Sequence, residues 1–452
     1  MPIEFTPKFL ESRWTHKRQV PDKLKFAILA AGLGRRMDPL TARHLPKPLF
    51  PLGGKVPMAE VWLRRAVESG ITDVSMNLCV LAQIIENHFG DGGKFGANLT
   101  YVREDVPSGT LGGVCKQALG MDSKRLPSEK HRSLPKPFQG STLIVPSGDI
   151  VTNFGSELLE EMYEIHRGVG SALTVALVPV PWERRIDYGT AVLASPEARD
   201  SILCKSGRIE SFVEKQADSP SNLSNASIYM IEMDLLRALD PLRTEANLDV
   251  ANPFYDFGKH VFPALLGDLP YVSLPKDFVF WGVQYNGSWF DVGQKRDYLR
   301  VNELLLDGKL DVPLPYEKLP WGYLGRDVEI DFSSVKIIPP VVIGNNCVIE
   351  LGATLGPYAV IGDDWTVQRE ARIQHSVLWE RYSYFDEDGN EVPARHRKLI
   401  DRHTVRTHVS IDESIVAGGD IEFDLLGKTV DVQADGGLGI LDIDSVADGP
   451  RA

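Results

Sequence analysis

From residue 24 to about 305 the chain alternates short apolar runs with segments of helical spacing. "KFAILAAG" (25–32) has the unbroken apolar character of a buried strand. "AEVWLRRAVESG" (59–70) sets its apolar residues at helical intervals and stops on a glycine, and "TDVSMNLCV" follows as the next strand. "STLIVPSGD" (141–149), "SALTVALVPV" (171–180) and "SNASIYMIEMDLL" (224–236) continue the series. Strands that alternate with helices predict a layered α/β domain with a mostly parallel sheet. The charged, proline-bearing stretch 121–140 is expected to be a surface loop.

Beyond residue 330 the period changes. Ile337, Ile343, Ile349, Leu355, Ile361, Val367 and Ile373 recur every six residues, with glycines at 344, 352, 356 and 362. A six-residue period means three short strands per coil of a parallel β-helix, with the aliphatic position inside the prism. The stretch 379–401 breaks the register and is expected to protrude as a loop, and "HTVRTHVSIDESIVAGG" (403–419) resumes it. The expected organisation is an N-terminal extension (1–23), an α/β domain (24–305), a linker (306–326), a left-handed β-helix (327–420) and an acidic tail (421–452), partly disordered by composition.

Composition narrows the function. With 43% hydrophobic and 25% charged residues the chain can bury a large core, and no apolar run is long enough to span a membrane. The first 23 residues lack the apolar core of a secretory signal. Cys79, Cys115, Cys204 and Cys347 are scattered without a paired spacing, which suits a reducing, cytoplasmic setting. A formal net charge of -13 argues against nucleic-acid binding. The charge is uneven, however: residues 31–65 hold seven Lys/Arg against Asp38 and Glu60, a local +5. A basic island in an acidic protein points to a small anionic ligand.

That island contains "LAAGLGRRMDPLTARHLPKPL" (29–49). An ordinary glycine turn with solvated basic residues is one reading. A dinucleotide fingerprint would need glycine at Met37, and no Gly-x4-Gly-Lys-Ser/Thr is present. A triphosphate cradle is the third. Gly32 and Gly34 would admit backbone N–H groups to phosphates, Arg36 would supply a planar fork, and Lys47 a mobile charge. Pro39, Pro46 and Pro48 would stiffen the loop between them.

The stretch closely resembles the signature of the sugar-phosphate nucleotidyltransferases, the nucleotide-sugar pyrophosphorylases. The likeness continues through "FGDGGKFGANLTYVRE" (89–104), "SGTLGG" (108–113), "GD" (148–149), "YG" (188–189), "VEKQ" (213–216), "NASIYMI" (225–231) and "WFDVGQ" (289–294). It is strongest toward the mannose-1-phosphate guanylyltransferase-like branch, whose members often carry C-terminal hexapeptide coils. The resemblance implies a Rossmann-like mixed sheet and condensation of a nucleoside triphosphate with a sugar 1-phosphate, giving an NDP-sugar and pyrophosphate. GTP with mannose 1-phosphate is the expected pair. Thymidylyl-, adenylyl- or uridylyl-transfer to glucose 1-phosphate, or a regulatory non-catalytic paralogue, are the alternatives.

The resemblance also implies residue roles. Mg²⁺ would be held by Asp149 and Asp291. Arg36 would hold the β- and γ-phosphates, Lys47 would sit near the reacting phosphates, and Lys215 would clamp the sugar phosphate. Ala30, Ala31, Gly32, Gly34, Gly109 and Thr110 would line the nucleotide. Gly148, Gly189, Glu214 and Asn225 would meet the sugar. Departures from the pattern fall at Arg35, Leu111, Gln216, Ser227 and Gln294-Lys295; of these, Leu111 and Ser227 are expected to line the base and sugar pockets. Some β-helices carry acyltransferase histidines, so His375, His403 and His408 are candidates for a second activity. Assembly of a homo-oligomer through exposed coil faces is the plainer expectation.

Overall fold

The structure, a computed structural model, describes residues 24–43, 45–119, 142–245, 256–267, 278–379, 403–432 and 438–445. The expected loop at 121–140, the expected loop at 379–401 apart from its buried first residue Trp379, and the N-terminal extension lie outside the described residues. By contact the chain groups into two units: Met1–Gly32, Trp62–Ala82 and Phe89–Trp289 in the first, Leu33–Val61, Gln83–His88 and Phe290–Ala452 in the second.

The first unit is built on a nine-stranded sheet. Its strands are β1 (Leu24–Leu29), β2 (Asp73–Leu78), β3 (Asn98–Arg103), β4 (Thr142–Pro146), β5 (Ser171–Pro179), β6 (Gly189–Ala198), β7 (Leu203–Glu214), β8 (Leu223–Glu232) and β9 (Val279–Tyr285). Their order is β3-β2-β1-β4-β8-β5-β9-β7-β6. The β3-β2-β1-β4 half is parallel, and antiparallel pairing enters where β8 joins β4. β1 is buried at every position, as its continuous apolar run requires of a central parallel strand. The helices α1 (Met58–Glu68), shared between the two units, α2 (Ala82–Phe89), which groups mostly with the second, and α3 (Gly109–Leu119), α4 (Ser156–Gly168) and α5 (Met233–Glu245) of the first follow the strand–helix alternation. α3 packs Leu111, Val114, Cys115 and Ala118 into a core with Ala27, Leu143, Val145 and Leu177.

The second unit carries α6 (Lys295–Leu306) and a stack of short strands in three parallel sheets. Ile343 pairs with Ile361, Ile349 with Val367, and Leu355 with Ile373, each 18 residues on. This is the pairing that a six-residue period with three sides per coil dictates. The aliphatic positions from Ile343 to Ile373 are buried in one cluster, and Ile337 packs at its edge. The register then shortens: Ile361 pairs with Leu378, and Ile411 with Leu425 only 14 residues on.

Two boundaries differ from expectation. The hairpin 317–319/322–324 already pairs with the first coil, so the linker ends early. The expected acidic tail is ordered in part, because 428–432 joins the stack beside 415–417 and 438–442 folds back on it antiparallel. Lys295 Nζ donates to the Ser445 carbonyl at 2.5 Å, and Arg296 grips the Asp444 carboxylate at 2.5 and 2.7 Å. The tail's acidity thus offsets two cations at a helix N-terminus, where the macrodipole disfavours them.

The signature segment 33–61 groups with the coils rather than with the sheet. Phe50 packs edge-on against Tyr298 and Trp379, with centroids 5.4 and 4.7 Å away. Tyr298 donates its hydroxyl to the Pro51 carbonyl, and the Trp379 indole donates to Tyr298. Lys55 pairs with Asp363 at 2.7 Å, and the same carboxylate accepts from Asn345 and Tyr316. These contacts are between residues far apart in sequence, which is why no local pattern announces them.

Candidate active site

In the first unit, β1 and β4 end side by side. The Gly148 N–H donates to the Leu29 carbonyl at 2.8 Å, extending the parallel ladder by one bond. Ala30, Ala31, Gly148 and Asp149 therefore lie at the carboxyl ends of two adjacent parallel strands, the usual ligand position in open α/β sheets. Asp149 is oriented by Ser147, whose hydroxyl donates to its Oδ1 at 2.6 Å. No described atom stands within 4 Å of where a Cβ on Gly32 would lie, so protein packing does not demand glycine there.

The segment 225–227 joins this cluster, since Ser147 N donates to the Ser227 carbonyl at 2.9 Å. Asn225 Oδ1 accepts from Ser227 N at 2.9 Å, and its Nδ2 donates to the Tyr229 hydroxyl at 2.8 Å. Ser227 has φ +56, a left-handed conformation that favours glycine. Ser227 therefore sits there at some strain. The Trp289 indole donates to the Ala226 carbonyl at 2.9 Å, and its ring lies 5.9 Å from Tyr188.

Gly189, Glu214 and Lys215 meet at the end of the β6/β7 pair. A Cβ on Gly189 or Gly258 would come within 2.3 or 2.5 Å of Glu214 Oε2, so two glycines make room for one carboxylate. Burial pushes the Glu214 carboxyl above its usual range, and the Asp256 charge adds to the shift. Lys215 sits at φ +54 with its side chain 60% exposed and its Nζ 3.9 Å from Glu214 Oε1.

"SGTLGG" forms the start of α3, with Gly109 at φ +77. Thr110 Oγ1 accepts from Phe257 N at 2.9 Å and reaches Asp256 Oδ2 at 3.4 Å. Thr110 thus ties the nucleotide-loop helix to the segment beside Glu214. Leu111 corrects an expectation: it is 0% exposed and packs in the hydrophobic core instead of facing a base or sugar. The helical spacing Leu111, Val114, Cys115, Ala118 already marks that face as core.

Sequence reasoning missed two groups. Asp256 caps the turn that follows, accepting from Gly258 N at 2.8 Å. Glu104 is the hub of a buried network: it accepts from Asn77 Nδ2 at 2.7 Å, Lys116 Nζ at 3.1 Å, Ser108 N at 2.9 Å and the Ser108 hydroxyl. Asn77 in turn accepts from Ala30 N at 2.8 Å. The network fixes the end of β1 relative to the start of α3. Asp-Phe-Gly after an aromatic run, and an isolated Glu ending a strand, were the only available signals.

In the second unit, Gly34 adopts φ +62 and opens a short turn in which Met37 N donates back to its carbonyl at 2.8 Å. Lys47 lies beside it, since a Cβ on Gly34 would meet Lys47 Cβ at 3.5 Å. Arg36 projects toward Gly293, where a Cβ would stand 3.2 Å from its Nη1. Asp291 is two residues earlier, with its carbonyl accepting from Gly293 N at 2.8 Å. Gly34, Arg36, Lys47 and Asp291 thus belong to this unit, and the remaining candidates to the first.

No group of three or more His, Cys, Asp or Glu able to hold a metal occurs among the described residues. Asp149 is half-buried and aimed by Ser147, so its carboxylate is fixed in direction just beyond the end of β4.

The coil histidines have structural partners. His403 accepts from Gly419 N and lies against Trp365, His375 meets Glu303 at 3.1 Å, and His408 meets Glu370 at 3.0 Å.

The first unit's mixed sheet sets the Asp149 carboxylate and Gly148 beside Ala30 and Ala31 at the carboxyl ends of adjacent parallel strands, the layout of a ligand-binding α/β domain. The comparisons narrow the class. Residues 25–308 match the Nucleotidyl transferase family, and the chain belongs to it, as a sugar-phosphate nucleotidyltransferase. The chain is 29% identical over 363 residues to a UTP–glucose-1-phosphate uridylyltransferase of Synechocystis, covering 79% of this chain and 83% of the relative. It is 26% identical over 330 residues to a mannose-1-phosphate guanylyltransferase of Mycobacterium tuberculosis, covering 73% and 76%. A mannose-1-phosphate guanyltransferase of Schizosaccharomyces pombe matches at 27% over 329 residues, covering 72% and 74%. No helix among the described residues is long and apolar enough to cross a membrane.

Proposed function

We propose that the protein transfers GMP from GTP to mannose 1-phosphate, giving GDP-mannose and releasing pyrophosphate. The observation that carries a nucleotidyl transfer is the convergence of Ala30, Gly148, Asp149 and Asn225–Ser227 at the ends of β1, β4 and β8. The guanylyl and mannosyl assignment rests on the signature resemblance and on relatives named for that reaction. A second reading, uridylyl transfer to glucose 1-phosphate, is favoured by the Synechocystis relative.

A sugar-phosphate oxygen attacks the α-phosphorus, the bond to the bridging oxygen breaks, and pyrophosphate leaves with its electron pair. No enzyme nucleophile is needed, so the protein's work is positioning and charge neutralisation. Arg36 neutralises the departing phosphates through its planar fork, and Lys47 bears on the reacting centre. Lys215 binds the phosphate of the sugar substrate. Glu214, with its raised carboxyl, and Asn225 hydrogen-bond sugar hydroxyls. The backbone at Gly109 and Thr110 borders the nucleotide. Asp149 would offer a carboxylate to Mg²⁺, a role the resemblance also implies for Asp291, and the ion when bound would supply Lewis-acid neutralisation of the phosphates. The coils form a left-handed β-helix, and exposed Phe332 and Leu351 suit contact between copies of the chain.

Incubation with GTP, UTP, dTTP or ATP and a panel of sugar 1-phosphates tests this reading. GTP with mannose 1-phosphate is expected to give the highest kcat/KM. A preference for UTP and glucose 1-phosphate would replace it with the second reading.

A further inference from the structure

We propose that Arg185 is the positioning residue for Lys215, locking the loop that presents this lysine to the sugar phosphate. The inference rests on the reading of Lys215 as the phosphate clamp. Lys215 leaves β7 in a left-handed conformation, at φ +54, which an L side chain adopts only when its surroundings enforce it. Its own N–H is held by the Tyr188 carbonyl at 3.1 Å. The next residue, Gln216, has no ring to fix its φ, so the loop needs another source of stiffness.

Arg185 supplies it. Its Nη2 donates to the Ala217 carbonyl at 2.6 Å, Nε to the Ser219 carbonyl at 3.3 Å, and Nη1 to the Trp182 carbonyl at 2.6 Å. The guanidinium also lies over the Trp182 ring, 4.7 Å from its centroid. One side chain therefore bridges the turn before β6 and the loop after β7, the two segments that flank Gly189 and Glu214. Ser219, buried, adds a hydroxyl contact with Thr190 Oγ1 at 2.5 Å, which anchors the far end of the loop. None of the three carbonyls is an acid, so the cation is used for its rigid set of donors rather than for ion pairing. An ammonium, a compact point charge on a flexible stem, cannot reach three carbonyls in these directions at once.

The test is steady-state kinetics on full-length Arg185→Ala, Arg185→Lys and Lys215→Met, with mannose 1-phosphate and GTP varied separately and thermal unfolding run alongside. Both Arg185 variants are expected to raise KM for the sugar phosphate by about tenfold while leaving KM for GTP within about twofold. Arg185→Lys keeps the stem and charge, so it remains measurable if the alanine variant does not fold. Wild-type behaviour of Arg185→Lys would overturn the proposal, as would a lowered melting temperature with both KM values unchanged. If Lys215→Met also leaves KM for the sugar phosphate untouched, the clamp reading falls and the proposal with it. If Lys215→Met raises it and neither Arg185 variant does, only the proposal falls.

Discussion

Glu104 shows how a single residue can hold a site without touching a ligand. Its side chain is 0% exposed and that of Lys116 5%, and each neutralises the other inside the first unit. Removing one partner of such a pair leaves a buried uncompensated charge, so Glu104→Ala should cost about 3–5 kcal/mol in denaturant unfolding. The double variant Glu104→Gln/Lys116→Met should recover most of that loss, since neither charge remains. At Ser227 the direction reverses: Ser227→Gly relieves a left-handed residue and should raise stability by up to ~1 kcal/mol, read as a small rise in melting temperature. Residues of these two kinds differ in legibility. The charges at Arg36, Lys47, Asp149 and Lys215 stand out in ordered motifs, whereas Glu104 looks like any strand-end acid until the fold closes around it.

At the scale of elements, the signature segment is braced from behind. Phe50 lies three residues after Lys47 and is buried between Tyr298 and Trp379. Phe50→Ala should cost about 3–5 kcal/mol. The milder Phe50→Leu should raise KM for GTP while sparing KM for the sugar phosphate, because Lys47 loses its backing and Lys215 does not. Asp363 makes a second brace. Although burial alone would raise its carboxyl, Lys55 and the Asn345 hydrogen bonds hold it below the usual range. A depressed folded-state value means stability that is complete above the unfolded-state pKa and is lost as pH falls through the folded one. Unfolding temperatures measured below about pH 4 should therefore fall more steeply for the wild type than for Asp363→Asn. The six-residue period made the 18-residue parallel pairing of the short strands readable, since each aliphatic recurs at the same place in successive strands. The shortened last coil, from Ile411 to Leu425, was not readable, because its pairing depends on neighbours already stacked.

For the molecule as a whole, alternating strands and helices foretold the sheet of the first unit, and the motif order foretold the family. The grouping of residues 33–61 with the coils was hidden, because it depends on Phe50, Lys55 and Asn302 meeting partners hundreds of residues away. The central chemical claim is a transfer that breaks the bond between the α- and β-phosphates. Asp149→Asn should lower kcat by roughly a thousandfold with the fold intact by circular dichroism, as loss of a metal ligand implies. The most direct measurement runs the reaction backwards, with Mg²⁺, GDP-mannose and labelled pyrophosphate. Label should appear in the β- and γ-positions of GTP, at a rate that Asp149→Asn abolishes. Label that never enters any nucleoside triphosphate, with GDP-mannose or with other nucleotide sugars, would contradict the account.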